Sequence, residues 1–396
     1  MVNRPATDEP FIPLAVPAIG EEERANLMTC VDTEMVSTVG PFVSDFEQRL
    51  AAVCEANDAL AVAAGTMGLH ASLHALGVRP GDLVLLPSFT FIASANAVAQ
   101  CAATPWLIDI DPGSWTMDPS VVERELDTWA ERRSNVVVHR PSGRRIAAIM
   151  PVYTLGTPAD MEPLNRIARD YGLPIVADAA AALGARYRGK PINDWADATV
   201  YSFNGNKTIT TGGGGGITTR DPELLKRLRH ITTTARVGRD YDHDQIGFNY
   251  RMTNLEAAVG CAQIEKLDRF LEAKRTIRHA YDAAFTDLEG VAPFPVPDWG
   301  TSAHWFSGVV LTEGIHDASR VVAKLNERNI GARAFWKPVH MQLPYADAPR
   351  SPMPRSEDLW HRIVTLPVST NLTEAERDRV IAATRETLGA PAAVAA

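Results

Sequence analysis

The sequence of 396 residues lacks features that would indicate several classes of protein. It carries 39 Lys and Arg against 48 Asp and Glu, a formal net charge of −9, so it has no basic excess typical of a nucleic-acid-binding surface. No apolar run reaches the ~18 residues that a membrane helix needs. Residues 1–10 are polar and contain acids, without the apolar core of a signal peptide. We therefore expect a cytoplasmic protein that binds neither nucleic acid nor a membrane.

Cysteine is also scarce, and the histidines show no metal-binding pattern. The four cysteines are far apart in the chain, at Cys30, Cys54, Cys101 and Cys261. Three of them stand in stretches of apolar periodicity, which favours buried thiols over disulfides or zinc ligands. The ten histidines include no HExxH or comparable spacing. The sequence therefore predicts no metal site.

From residue 59 onward, short apolar strands alternate with helical patterns. Such alternation predicts an α/β fold with a mostly parallel sheet and helices on both faces. After a proline-rich stretch at residues 293–297, further strands and helices indicate a smaller α/β unit. We predict an N-terminal segment over 1–57 that packs on a large domain, the large domain over 58–272, and a small C-terminal domain over 273–396.

A lysine at position 207 stands between a strand pattern and a run of glycines. Residues 199–203 are β-branched or aromatic, and the five glycines at 212–216 allow positive φ and close backbone approach. Lys207 could form a Schiff base with pyridoxal phosphate (PLP), and Ser202, five residues earlier, could bind the phosphate of that cofactor. A surface lysine beside a flexible hairpin tip is the alternative that these residues alone leave open.

Two further features lie at the carboxyl ends of predicted strands, where ligands bind in α/β sheets. Gly65, Thr66 and Met67 lead from a strand into a helix, whose first amides could bind a phosphate. A simple helix cap by Thr66 would give the same pattern. Asp178 ends an apolar strand and could pair with a protonated pyridine nitrogen or cap the next segment.

Aromatic and basic residues elsewhere suggest further contacts. The aromatics of segment 87–91, which ends at Phe91, could stack on a flat ring or belong to the core. The long segment 232–251 contains Arg236, Arg239 and Arg251, which could receive phosphate groups or belong to a solvated loop.

In this order, the motifs resemble those of the DegT/DnrJ/StrS-type sugar aminotransferases. They are Gly65-Thr66, Asp178-Ala179-Ala180 and the segments 87–91, 109–112, 202–207 and 247–251. The resemblance spans about residues 11–388. Segments 11–14, 36–40, 204–215 and 336–340 look most like the branch that makes 4-amino sugars for bacillosamine and legionaminic acid.

The resemblance implies the PLP-dependent transferase fold type I, which is the aspartate aminotransferase fold. It implies that Lys207 forms the Schiff base, that Asp178 partners the pyridine nitrogen and that Phe91 lies against the ring. Thr66 and Ser202 would bind the phosphate, with Gly65 and Met67 beside Thr66. From a neighbouring subunit, Asn249 would reach the same phosphate, so the implied enzyme is a homodimer with shared active sites.

The implied reaction moves an amino group from L-glutamate to a nucleotide-linked 4-keto-6-deoxy sugar, such as UDP-4-keto-6-deoxy-GlcNAc. Candidate substrate-binding residues are Arg236, Arg239, Arg251, Lys337 and His340.

The sequence also departs from the family pattern. Ala181 stands at a cofactor-site position where relatives commonly have Gln, Glu or His, and Tyr153-Thr154-Leu155 replaces a common His-Leu-Tyr.

Three alternatives stay open at this point. A PLP-dependent sugar dehydratase would have histidine in place of Lys207, and a non-catalytic relative would not need Lys207 and Asp178. A nicotinamide dehydrogenase would need a GxGxxG turn after its first strand.

Overall fold

The computed structural model describes residues 9–134 and 136–389, in which α-helices alternate with short strands. In chain order the helices are α1 (Glu21–Asp32), α2 (Pro41–Val53), α3 (Gly65–Ala75), α4 (Ala93–Gln100), α5 (Pro119–Trp129), α6 (Met161–Tyr171), α7 (Pro222–Thr232), α8 (Asn254–Ile264), α9 (Leu267–Phe285), α10 (Ala318–Glu327), α11 (Pro354–Leu359) and α12 (Glu374–Thr387). A large sheet contains β1 (Ala59–Val62), β2 (Leu83–Pro87), β3 (Thr104–Ile108), β4 (Ile146–Ile149), β5 (Val176–Asp178), β6 (Ala198–Ser202) and β7 (Gly215–Thr218). A small sheet contains β8 (Val291–Pro293), β9 (Ser307–Leu311), β10 (Arg333–Ala334) and β11 (Ile363–Leu366).

The large sheet has the strand order β1-β7-β6-β5-β4-β2-β3. β7 is antiparallel to both of its neighbours, and all the other strands run parallel to one another. Parallel bridges from Ile149 to Ile175 and from Val152 to Asp178 join β4 to β5. The strands are buried along nearly their whole length, as expected for a sheet with helices on both faces. The predicted α/β fold with a mostly parallel sheet is confirmed.

The carboxyl ends of β1, β5 and β6 lie at the same edge of this sheet because the three strands are parallel. β1 leads into the N-terminus of α3, β5 ends at Asp178 and β6 ends at Ser202. The topology thus collects three of the sequence-predicted segments at one place.

The antiparallel strand β7 is glycine-rich where it passes α3 and α2. A Cβ on Gly215 would lie 2.6 Å from the amide nitrogen of Gly65, and a Cβ on Gly216 would lie 2.4 Å from a methyl of Leu50 in α2. Both distances are shorter than any real Cβ contact. The missing side chains therefore let the helix N-terminus and the strand meet.

The N-terminal helices pack on the later part of the chain. α1 and α2 both lie against α8. The carboxylate of Glu23, fully buried in α1, accepts hydrogen bonds from the Gln263 side chain (2.6 Å) and from Lys266 Nζ (2.8 Å). Because this charge is buried, its paired lysine is needed to keep it stable.

Buried apolar side chains form two clusters. One surrounds the large sheet and the other surrounds the small sheet, whose strand order is β8-β9-β11-β10 and whose pairs are all antiparallel. Helix α9 contributes to both, with Phe270 in the first cluster and Ile277 and Tyr281 in the second. The predicted division between residues 272 and 273 falls inside this helix.

Three helical or irregular segments are interrupted in the structure. Helix α5 ends at Trp129, and Ala130–Arg133 pairs with Val136–His139 in a hairpin. Helices α8 and α9 are separated by Glu265 and Lys266. The segment 232–251 contains a short hairpin, Arg236–Val237 with Asp242–His243. Propensity alone does not report these breaks, because tertiary packing decides where each helix stops.

All four cysteines are free and buried, as predicted from their apolar surroundings. Within residues 9–134 and 136–389, no helix combines the length and the apolar character that a bilayer crossing requires.

We predict that Gly215→Ala destabilises the protein, while Gly205→Ala does not. The added methyl at 215 would collide with the backbone of α3 at 2.6 Å, whereas a Cβ on Gly205 meets no atom within 4 Å. Overpacking of this kind costs about 1 to 3 kcal/mol. Urea unfolding of the cofactor-free protein measures both changes, and equal midpoints for the two variants would contradict the prediction.

Candidate active site

Lys207 lies in the turn that follows β6, with its backbone amide donating to Asn204 O at 2.8 Å. Its Nζ sits over the indole of Trp305, 3.4 Å from the ring centroid. A cation this close to an aromatic face is attracted by the ring quadrupole. The lysine therefore points into the protein rather than away from it.

The surroundings of Lys207 favour its neutral form near pH 7. Burial lowers the pKa of Lys207 to about 7, and the charge of Asp178 opposes that shift. A lysine with such a pKa can act as a nucleophile and as a carrier of protons at neutral pH.

Asp178 is buried at the end of β5, with 5% of its surface exposed. Its Oδ2 accepts a hydrogen bond from Ser94 Oγ (2.6 Å) and its Oδ1 accepts one from Ala180 N (3.1 Å). The Ser94 hydroxyl is in turn hydrogen-bonded to Thr90 Oγ1 at 3.0 Å. Burial raises the pKa of Asp178, while these hydrogen bonds and the charge of Lys207 oppose the rise.

The N-terminus of α3 and the end of β6 meet beside the glycines of β7. The residue before α3 is Ala64, so no side chain caps the helix. An added Cβ on Gly65 would lie 2.9 Å from Cβ of Ser202, which shows how closely the two segments pack. Thr66 and Met67 in the first turn are half-buried. Uncapped amides and two hydroxyls suit an anion such as a phosphate.

The remaining residues predicted to contact the cofactor are less buried than Asp178. Phe91 is 54% exposed, and its ring lies 5.8 Å from that of Trp336. Ala181 is half-buried three residues after Asp178. Asn249 is exposed, next to a backbone bridge with Thr233. The roles assigned to these residues stay predictions.

The predicted substrate-binding residues fall into two groups. Arg236, Arg239 and Lys337 are exposed, and Arg236 donates to the carbonyl of Arg239 at 2.8 Å. Arg251 and His340 are instead engaged within the chain. Arg251 lies 3.2 Å from the carboxylate of Glu47.

His340 is buried and contacts two side chains. Its Nδ1 is hydrogen-bonded to Ser88 Oγ (2.7 Å), and its Nε2 lies 3.2 Å from Glu357. Its ring is thus held by Ser88, which directly follows β2, and by Glu357 of α11, which restricts how it could contact a substrate.

Sequence reasoning did not single out Ser94, Trp305 or Lys274. Lys274, in α9, is only 2% exposed, and its Nζ donates to the carbonyls of Trp305 (3.0 Å) and Val368 (2.9 Å). Burial and the nearby charge of Lys207 lower its pKa to about 7. Nothing in the local sequence separates this lysine from the solvated basic residues of the same helix, such as Arg269 and Arg275.

The electrostatics of the site fit pyridoxal phosphate. Among the described residues, the hydrogen-bond donors to the buried Asp178 are uncharged, namely Ser94 and Ala180. A buried carboxylate is costly without a cationic partner, and a protonated pyridine nitrogen would supply one. At the other end of the site the α3 amides would meet the phosphate, and Lys207 would meet the aldehyde.

Fold and site together define a PLP-dependent transferase of fold type I. The chain belongs to the DegT/DnrJ/EryC1/StrS aminotransferase family, which it matches over residues 17–385. It is 37% identical to the GDP-perosamine synthase of Caulobacter vibrioides over 385 residues, covering 96% of this chain and 100% of that protein.

A curated relative and a solved structure from Streptomyces venezuelae are also similar. The dTDP-3-amino-3,4,6-trideoxy-alpha-D-glucose transaminase of Streptomyces venezuelae is 33% identical over 385 residues, which is 95% of each chain. The crystal structure of DesV from S. venezuelae superposes with a TM-score of 0.85 at 30% identity, covering 96% of this chain and 99% of that one. The predicted family, cofactor and enzyme class are confirmed, and the chain is an aminotransferase of nucleotide-sugar metabolism.

We predict that Lys274 makes the unfolding free energy rise with pH. Its folded pKa of about 7 lies below its ordinary value of 10.5, so between these pH values the unfolded chain binds more protons than the folded one. Between pH 7 and pH 10 the unfolding free energy of the natural protein should therefore rise by about 2 to 4 kcal/mol more than that of Lys274→Met, which lacks this titrating group.

Urea unfolding of the cofactor-free protein across this pH range measures the difference. Lys226→Met, which changes an exposed lysine of α7, is the matched control. The prediction is wrong if both substitutions give the same pH dependence.

Proposed function

We propose that this aminotransferase takes the amino group of L-glutamate and delivers it to a nucleotide-linked 4-keto-6-deoxy sugar, with Lys207 carrying the protons. The observation that supports this most is the pairing of a partly desolvated amine at Lys207 with a buried carboxylate at Asp178. Both groups have the protonation behaviour that transfer of an amine through PLP requires.

Each group of the chain has a separate task in the proposed reaction. Bound PLP would supply the electron sink that makes the α-proton of the amino acid acidic. Asp178 would keep the pyridine nitrogen protonated, and Ser94 orients Asp178 through the hydrogen bond at 2.6 Å. Thr66 and Ser202, with the first amides of α3, would hold the phosphate.

Lys207 Nζ would take the proton from the α-carbon of the amino acid, and in the second half of the reaction it would deliver a proton to the sugar carbon that receives the amine. It can do so only when the amine is free and neutral, which its pKa of about 7 allows at neutral pH. Ordinary lysine, near pKa ~10.4, would be almost fully protonated there.

Exposed residues on this side of the molecule are candidates for binding the acceptor. Phe91 and Trp336 present aromatic surface, and Lys337 is an exposed cation that follows Trp336 in the chain. A sugar ring packs well on aromatic faces, and a diphosphate requires cations such as Lys337 or Arg236. The GDP sugar named for the Caulobacter relative makes GDP the first nucleotide to test here, ahead of UDP and dTDP.

We also propose a homodimer in which Asn249 completes the phosphate site of the neighbouring subunit. The exposure of Asn249, in a segment that also exposes Tyr241 (86%) and Ile246 (80%), is consistent with burial by a second chain.

The role of Lys207 predicts a covalent link that borohydride reduction would preserve. After reduction, the tryptic peptide that contains Lys207 should carry the cofactor mass. Before reduction, the purified protein should absorb visible light, and addition of L-glutamate should remove that absorbance. Lys207→Ala should lose both properties and at least 10³-fold of the activity. Lys226→Ala is the control, because that lysine is exposed on α7. Cofactor mass on another peptide would overturn the assignment.

The acceptor class predicts a product that depends on the keto sugar. With L-glutamate present, the GDP, UDP and dTDP forms of 4-keto-6-deoxy sugars should be compared by formation of 2-oxoglutarate and of an amino sugar in mass spectra. We expect at least one of these to be aminated. The acceptor proposal fails if all are unreactive while a 3-keto sugar is aminated.

A further inference from the structure

The indole of Trp305 lies against the amine of Lys207, with Nζ 3.4 Å from the ring centroid. Trp305 is 4% exposed, so its face is shielded from water. A cation is attracted more strongly to a desolvated tryptophan face than to an exposed one. The ring therefore offers the amine a specific resting position.

Trp305 is held from several directions. Its indole Nε1 donates to the carbonyl of Asn206, the residue before the lysine, at 2.7 Å. Its main-chain N–H donates to Leu155 O (3.0 Å), and its main-chain carbonyl accepts from Lys274 Nζ (3.0 Å). Trp336 packs beside the ring, with centroids 5.9 Å apart. The position of the ring is thus fixed by the lysine loop itself and by α9.

In the proposed reaction the amine of Lys207 would be free while the amino acid or the keto sugar is bound. A free lysine side chain has four rotatable bonds, and an unrestrained amine would spend little time at the reacting carbon. A fixed aromatic face next to the turn limits where the amine can go.

We propose that Trp305 is a catalytic residue that receives the freed amine of Lys207 on its indole face, and that Lys274 positions Trp305 through its main-chain carbonyl. This inference rests on the proposed role of Lys207. It assigns Lys274 a function that does not involve contact with cofactor or substrate.

The charged and titratable groups around Lys207 are few among the described residues. Asp178 at the end of β5 favours the ammonium form, and Lys274 in α9 disfavours it. His304, adjacent to Trp305, has its pKa lowered by burial to about 4 and is neutral above that pH. The indole face adds a contribution that favours the ammonium.

The test measures the free amine itself, in full-length protein from which the cofactor has been removed. Brief acetylation at a series of pH values, followed by mass spectrometry of the Lys207 peptide, gives the pH midpoint at which the amine becomes reactive. Acetylation of the exposed Lys226 in the same sample corrects for reagent decay.

We expect this pH midpoint to be highest in the natural protein, lower in Trp305→Phe and lowest in Trp305→Leu, with a total decrease of about one pH unit. Trp305→Phe retains a ring and most of the packing, so it keeps the test informative if Trp305→Leu folds poorly. An unchanged midpoint, or one that rises when the ring is removed, overturns the role of Trp305.

A double-mutant cycle isolates the role of Lys274, because Lys274→Met also removes a nearby charge. The charge effect is present whether or not Trp305 is there, but the positioning effect requires the ring. Lys274→Met should therefore lower the midpoint more, or raise it less, in the natural protein than in the Trp305→Leu background. Equal changes in both backgrounds overturn the positioning role.

Borohydride trapping of the cofactor-loaded natural protein separates this inference from the proposed function. If Lys207 carries the cofactor and the Trp305 variants leave the midpoint unchanged, only the inference fails. If the cofactor mass is absent from the Lys207 peptide, the proposed function fails first.

Discussion

The removal of two opposite charges from water, at Lys207 and Asp178, is the constraint on which the rest of the site depends. Burial disfavours the charged form of each group, and the attraction between them works in the opposite direction. Neither group could be left in this state on an open surface, where water would restore its ordinary pKa. The enclosing structure therefore has to be rigid and dry, and this requirement accounts for much of what surrounds it.

The large sheet meets that requirement by its topology. Parallel strands bring the ends of β1, β5 and β6 to one edge, and the antiparallel β7 passes between β1 and β6 with glycines where side chains would collide with α3. The uncapped start of α3, Ser202 and Asp178 are thereby placed around a common space. The C-terminal part of the chain closes this space with Trp305, which is tied to the lysine turn and to Lys274.

Membership of the family establishes that the enzyme is an aminotransferase, but it does not identify the acceptor. The acceptor is selected by the residues around the site. Relatives with similar identity are named for a GDP sugar and for a dTDP sugar, so membership of the family does not by itself fix the nucleotide. Selection has to come from contacts farther from the reacting carbon, where polar groups that lose their partners can discriminate strongly between substrates. Arg236, Lys337 and Trp336 are candidates for these contacts.

The sequence by itself determined the class of fold, because alternating strands and helices are a local pattern. Local patterns also singled out the lysine and the acid of the candidate site, namely a lysine before a glycine run and an acid ending an apolar strand. The sequence did not reveal Ser94, Trp305 or Lys274, since a serine, a tryptophan or a lysine in an ordinary helix or strand looks the same whether it faces the core or solvent. Only the tertiary structure decided those positions, and with them the pKa of Lys207, because desolvation depends on what packs against a side chain from distant parts of the chain.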